Sequence, residues 1–214
     1  MRAMSRTFFA RPRRLLAGAL SVLALGACSV LSPTATPPPA FYSLDSAPVT
    51  APAPTRTAAP TLIINPPRAA AGFDSQRIIY VRESHKLEYF AHSEWIDPPA
   101  RMLGPLLVAA IEHTGAFAAV VLTPGAAGGD LRLDTEIVRL QQEFQTHPSR
   151  VRLTLRAYLV DDKTRRVLAW RQFDAAVDAA SDDPYGGVLA ANGAVQTVLQ
   201  QLSVFCVETV ASAH

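Results

Sequence analysis

Residues 151–159 constrain the fold more than any other stretch. Val151, Leu153, Leu155, Ala157 and Leu159 alternate with Arg152, Thr154, Arg156 and Tyr158. Side chains on a β-strand point to opposite faces with period two, so one face enters a core and the other meets water. Such a strand belongs to a sheet covered on one side only. Asp161, Asp162, Lys163 and Thr164 supply a hairpin turn, and residues 167–177 read as the return strand. Residues 130–144 form a long strand before it, with Leu131, Leu133, Thr135 and Ile137 on one side.

The rest of the domain alternates shorter strands with two helices. Residues 61–65 read as a strand stopped by Pro66 and Pro67. Residues 77–83 and 86–95 are two more, joined at Ser84 and His85 as a hairpin, and residues 117–123 are another. Pro98 and Pro99 open a helix that runs to about residue 114. Its apolar face is Met102, Leu103, Leu106, Leu107, Ala110 and Ile111, Gly115 is its C-cap, and Asp97 is its natural N-cap. Pro105 lacks a backbone donor, which predicts a later start or a bend there. Asp182, Asp183 and Pro184 cap a last helix to about residue 211, with a stripe of Val188, Ala191, Val195, Val198, Leu202 and Phe205. Two helices cannot cover both faces of such a sheet. The expected class is α+β, a two-layer sandwich of a mostly antiparallel sheet with two helices packed on one face, over residues 61–214.

The start of the chain is different. Arg2, Arg6, Arg11, Arg13 and Arg14 precede any acid, and without them 15 basic residues face 18 acidic ones. The formal charge of +2 therefore belongs to the first residues, and nucleic-acid binding has no electrostatic support. Thirteen apolar or small residues, 15–27, follow. As a helix they would cover about 20 Å, short of a bilayer core, so residues 1–27 read as a secretory signal. Leu25-Gly26-Ala27-Cys28 resembles the bacterial lipobox, which implies cleavage before Cys28 and lipid attachment to it. Ser29 rather than Asp after that cysteine favours the outer membrane. Residues 28–60 hold eight of the 17 prolines and read as a tether. The 32 residues from 29 to 60 would reach roughly 100 Å if extended. Phe41, Tyr42, Ser43 and Leu44 interrupt that tether, as a short edge strand of the domain or a contact with a neighbouring subunit.

Enzymatic signatures are scarce. Gly-x-Ser-x-Gly is absent, and the cluster of Gly125, Gly128 and Gly129 lacks the Lys-Ser/Thr of a phosphate-binding loop. Glu88, His92 and Glu94 share strand parity, an arrangement more typical of a solvated face than of a metal site. Arg150, Arg152 and Arg156, with Arg132 beside them, read as a charged face that Asp134 and Glu136 pair across strands. Cys206 reads as a buried small hydrophobe and His147 as a turn residue. No catalytic residue, cofactor or metal is expected.

Several runs carry a resemblance. They are residues 73–82, then Leu87-Glu88-Tyr89-Phe90, then Trp95-Ile96-Asp97-Pro98-Pro99 into the helix, with Gly115-Ala116-Phe117 and Val120 after it. Together with Phe41-Tyr42-Ser43-Leu44 they are similar to the ABC-type transport auxiliary lipoproteins, PqiC-like. The resemblance implies a non-catalytic outer-membrane lipoprotein on the periplasmic face. Its partners would be an MCE-type periplasmic protein and an inner-membrane ABC transporter, together moving lipids across the periplasm. It is compatible with a homo-oligomer. Phe41, Tyr42, Tyr89 and Trp95 are the candidate partner-contact or motif residues, although Tyr89 and Trp95 also read as closing the core over the helix start. The alternative is a structural or regulatory lipoprotein that binds an envelope-assembly enzyme such as a peptidoglycan synthase.

Overall fold

A computed structural model of the chain describes residues 38–45, 59–124 and 128–212. Cys28, the signal segment, most of the tether, and Gly125 lie outside the described residues. The elements, in chain order, are β1 (Ala40–Tyr42), β2 (Thr61–Ile64), β3 (Arg68–Ala69), β4 (Arg77–Val81), β5 (Glu88–Trp95) and α1 (Pro99–Glu112). They continue with β6 (Ala119–Leu122), β7 (Leu131–Glu143), β8 (Arg150–Asp161), β9 (Val167–Asp178) and α2 (Pro184–Ser212). The nine strands form one sheet.

β7 is its spine. One edge pairs antiparallel with β8, from Leu131 opposite Asp161 to Glu143 opposite Arg150. β8 pairs antiparallel with β9 in turn. The other edge of β7 is shared by three short strands, all parallel to it. Leu62, Ile63 and Ile64 of β2 lie opposite Leu131, Arg132 and Leu133. Arg68 and Ala69 of β3 follow at Glu136 and Ile137, and Tyr80 and Val81 of β4 at Gln142 and Glu143. Residues 61–81 thus run along β7 as one interrupted strand. Pro66 and Pro67, which have no N–H to donate, stand where it leaves the ladder. β6 pairs with β2 in parallel, β5 folds back on β4, and β1 pairs in parallel with β5 at the sheet edge.

The sheet is α+β and mostly antiparallel in its long ladders, as the alternation implies. The core faces of β7, β8 and β9 bury Leu133, Ile137, Leu153, Leu155, Leu159 and Phe173 against the helices. The predicted stripe of α2 is buried in full, as are Leu103, Leu107 and Ile111 of α1. α1 and α2 also touch each other. Among the described residues no helix is long and apolar enough to cross a membrane.

Three expectations about α1 are corrected. The helix starts at Pro99 and runs through Pro105 to Glu112. Its N-cap is Pro98, whose carbonyl accepts the Arg101 N–H at 2.8 Å, with no side-chain cap. Asp97 therefore stands one residue too early to cap, and its carboxylate meets Arg101 Nη1 at 3.5 Å instead. The C-cap is His113 rather than Gly115, which at φ 64° ends the turn two residues further on.

Candidate partner-contact surface

The corner where β1 meets β5 gathers three of the four aromatic candidates. In parallel register Phe41 lies opposite Glu94 and Tyr42 opposite Trp95. Alternation along β1 turns Tyr42 toward α2 and Phe41 toward the other face of the sheet. The Ile96 N–H donates to the Tyr42 carbonyl at 2.7 Å, which extends the pairing by one residue. Leu44 is buried, and its N–H points at Met102 Sδ, 3.5 Å away. Asn192 of α2 then clamps the chain. Its Oδ1 accepts the Asp45 N–H at 2.6 Å, and its Nδ2 donates to the Ser43 carbonyl at 3.3 Å.

The four candidates divide by environment. Trp95 is core at 3% exposure, with its backbone N–H given to the Gln76 carbonyl at 2.7 Å. The apolar void beside it holds about 10 Å³, room for one water at most, so Trp95 packs and does not line a lipid pocket. Tyr42 is half-buried, its ring 6.4 Å from that of Tyr185. Phe41 is 53% exposed. Tyr89 is half-exposed on β5, away from this corner, with the Arg77 guanidinium 4.1 Å above its ring.

Sequence reasoning missed three members of the corner. Ile96, Tyr185 and Leu189 are 55%, 57% and 49% exposed. Tyr185, Leu189 and Asn192 fall on one flank of α2 at helical spacing, beside the buried stripe. That periodicity was available in the sequence; the closeness of this flank to β1 was not.

The first turn of α2 is fixed from several sides. Asp183 Oδ1 accepts the Gly186 N–H at 2.7 Å, an N-cap that holds the Asp183 carboxyl below its ordinary value, with help from the Ser181 side chain. Asp182 is lowered too, by Ser149 through side chain and backbone and then by His147. The Ser149 N–H reaches it at 2.7 Å and His147 Nδ1 at 3.2 Å. A Cβ at Gly187 would collide with the side-chain amide of buried Gln142, so this turn lies directly on β7.

The outer face of the sheet is a charged ladder. Arg152 lies between Glu143 at 3.1 Å and Asp174 at 2.6 Å, and Arg156 reaches Glu136 across strands at 3.5 Å. Arg132 pairs with Asp134 and Asp162, and Arg150 Nε with Thr146 Oγ1. Trp170, 62% exposed, stacks on Tyr158 at 6.3 Å near the far end of this face. On β5, Glu88 lies opposite Tyr80 and Glu94 opposite Arg77, with the pairing to β4 irregular between them. Among the described residues no three potential ligands gather for a metal. Cys206 is fully buried, and burial pushes its thiol up to about 12.

Comparison with known proteins supplies the fold's relatives. Protein XCC0632 from Xanthomonas campestris superposes with a TM-score of 0.71 at 24% identity, covering 81% of this chain and 98% of that one. A second crystal structure, of an uncharacterized protein, gives 0.60 at 14% identity, covering 81% and 99%. At these identities the likeness shows the fold. No curated protein matches the chain. The family comparison goes further, matching residues 42–203 to the ABC-type transport auxiliary lipoprotein component. The match runs from Tyr42 of β1 into α2 and so spans the sheet and both helices. The chain belongs to the family of ABC-type transport auxiliary lipoproteins.

Proposed function

We propose that this protein is an outer-membrane lipoprotein, acylated at Cys28, that serves an MCE-type ABC system as a non-catalytic auxiliary subunit on the periplasmic side. The observation that carries the reading is the family match across residues 42–203. The described surface is consistent with a docking role. Several exposed apolar side chains gather at one corner, charged side chains pair across the outer face of the sheet, and Cys206 is sealed in the core. The ABC transporter and its MCE-type partner would supply energy and passage for the lipid, and this chain a fixed periplasmic contact.

Crosslinking in cells followed by capture of the lipidated chain is expected to recover an MCE-type periplasmic protein. Repeated capture without one overturns the partnership. Membrane fractionation is expected to place the chain with the outer membrane, and loss of that position in Cys28→Ser checks the anchor separately.

A further inference from the structure

We infer that the corner formed by Phe41, Ile96, Tyr185 and Leu189 rests on the bilayer that carries the lipid anchor. This rests on the proposed acylation of Cys28. Large apolar side chains about half exposed are unremarkable singly, but four at one corner mark a contact surface. Tyr42 joins its two sides: its backbone carbonyl accepts the Ile96 N–H, its ring lies tilted 6.4 Å from that of Tyr185, and Leu189 follows Tyr185 one helical turn later. Phe41 leaves β1 on the opposite face, so the surface is the β1 edge of the sheet seen end on.

The occupant follows from where the chain enters. The domain takes up the tether at β1, in the middle of this corner, and not at residue 61. Only eleven residues, 29–39, join Cys28 to β1. Extended at about 3.1 Å each they span about 35 Å, against roughly 100 Å for the whole proline-rich stretch. That is about one diameter of a domain this size. The corner therefore stays within about 35 Å of the headgroups whatever path the leash takes. At such a span the effective concentration of membrane is in the millimolar range, so a patch too weak to bind from solution is occupied when tethered. Tyrosine also suits the interface, with its ring toward the acyl boundary and its hydroxyl in water. Asp45, Asp97, Asp182 and Asp183 flank the corner in sequence, with Arg101 against Asp97. The charges nearest the corner in sequence are thus mainly acidic, which matches a zwitterionic surface such as phosphatidylethanolamine better than an anionic one.

The protein's two tryptophans make this measurable. Trp95 is buried, and Trp170 is exposed on β9. The lipidated full chain would be reconstituted in vesicles of phosphatidylethanolamine and brominated phosphatidylcholine. In Trp170→Phe/Tyr185→Trp the bromines are expected to quench the new tryptophan about two-fold more than they quench Trp170 in the parent, since interfacial side chains sit at bromine depth. Adding Ile96→Ser and Leu189→Ser, both exposed positions, should abolish that excess. Equal quenching of the two probes, or a shielded but unquenched probe as a second copy on the corner would produce, overturns the inference. Mass spectrometry of residue 28 distinguishes the failures. An acylated chain with an unquenched probe overturns the docking alone, whereas an unacylated residue 28 in the mature protein overturns the anchor and the docking with it.

Discussion

β8 and β1 belong to the same sheet but are held in it by different means. β8 has a partner on each side for most of its twelve residues. One face is buried as Val151, Leu153, Leu155, Ala157 and Leu159, and the other is tied by Arg152 and Arg156 to acids on both neighbours or one. β1 has three residues and a single neighbour, paired in parallel. What fixes it is one buried leucine, Leu44, and one amide, Asn192. Stability spread over many small contacts tolerates the loss of any polar one, whereas a strap held by a few discrete contacts opens by itself. The difference teaches where each job sits. The long ladders hold the fold, and the weakly held edge presents apolar side chains to whatever lies outside.

Two substitutions break the comparison from opposite sides. Leu155→Ala empties a fully buried site on β8 and is expected to cost about 2–5 kcal/mol of global stability. The urea midpoint should fall with the slope unchanged. If the midpoint moves by less than a core cavity requires, the long ladders are not the stabilising half. Asn192→Ala should act locally. It removes two hydrogen bonds to the strap, about 1–2 kcal/mol, so amide exchange at Ile96 should quicken about five- to thirty-fold while the core strands keep their protection. Uniform loss of protection would mean that β1 and β8 unfold as one unit, and the contrast would be gone.

What the sequence disclosed follows the same division. β7, β8, β9 and the stripe of α2 were legible because a long element repeats its pattern many times, and each repeat is independent support for one face. The short strands were legible as strands but not in their partners. Nothing local in Thr61–Ile64 says that it pairs parallel with β7, and two-residue β3 carries no pattern at all. Asp97 was misread for a related reason. Either Asp97 or Pro98 satisfies the rule of a cap before proline, and only the chain direction set by β5 decides between them. At the corner, Phe41 and Tyr42 stood out against the prolines, whereas Ile96, Tyr185 and Leu189 are scattered over almost a hundred residues and meet only in the fold.

Acid sharpens the comparison with a smaller effect. Asp182 and Asp183 fix the start of α2, where Tyr185 sits, while no comparable carboxylate caps α1. Both lie below the ordinary aspartate value of 3.8 in the folded protein, Asp182 because the Ser149 side chain and backbone N–H donate to it and Asp183 because the Gly186 N–H does. A carboxyl depressed on folding contributes stability that is complete above its unfolded value and is lost as pH falls through the folded one. The first turn of α2 should therefore loosen below about pH 4, with the corner ahead of the long ladders. Asp183→Asn keeps an N-cap that does not titrate, so its stability should change less with acid than the parent's, whereas Asp183→Ala should be weaker at every pH. Urea midpoints across pH measure the first, and amide exchange at Gly186 locates it. If Asp183→Asn retains the full acid dependence, the carboxylate cap is not what holds this end of α2 and the loosening must be sought elsewhere. Asp130, lowered by the Thr61 N–H and then by Lys163, is the next group to replace, because it ties β2 to the end of β7 in the same way.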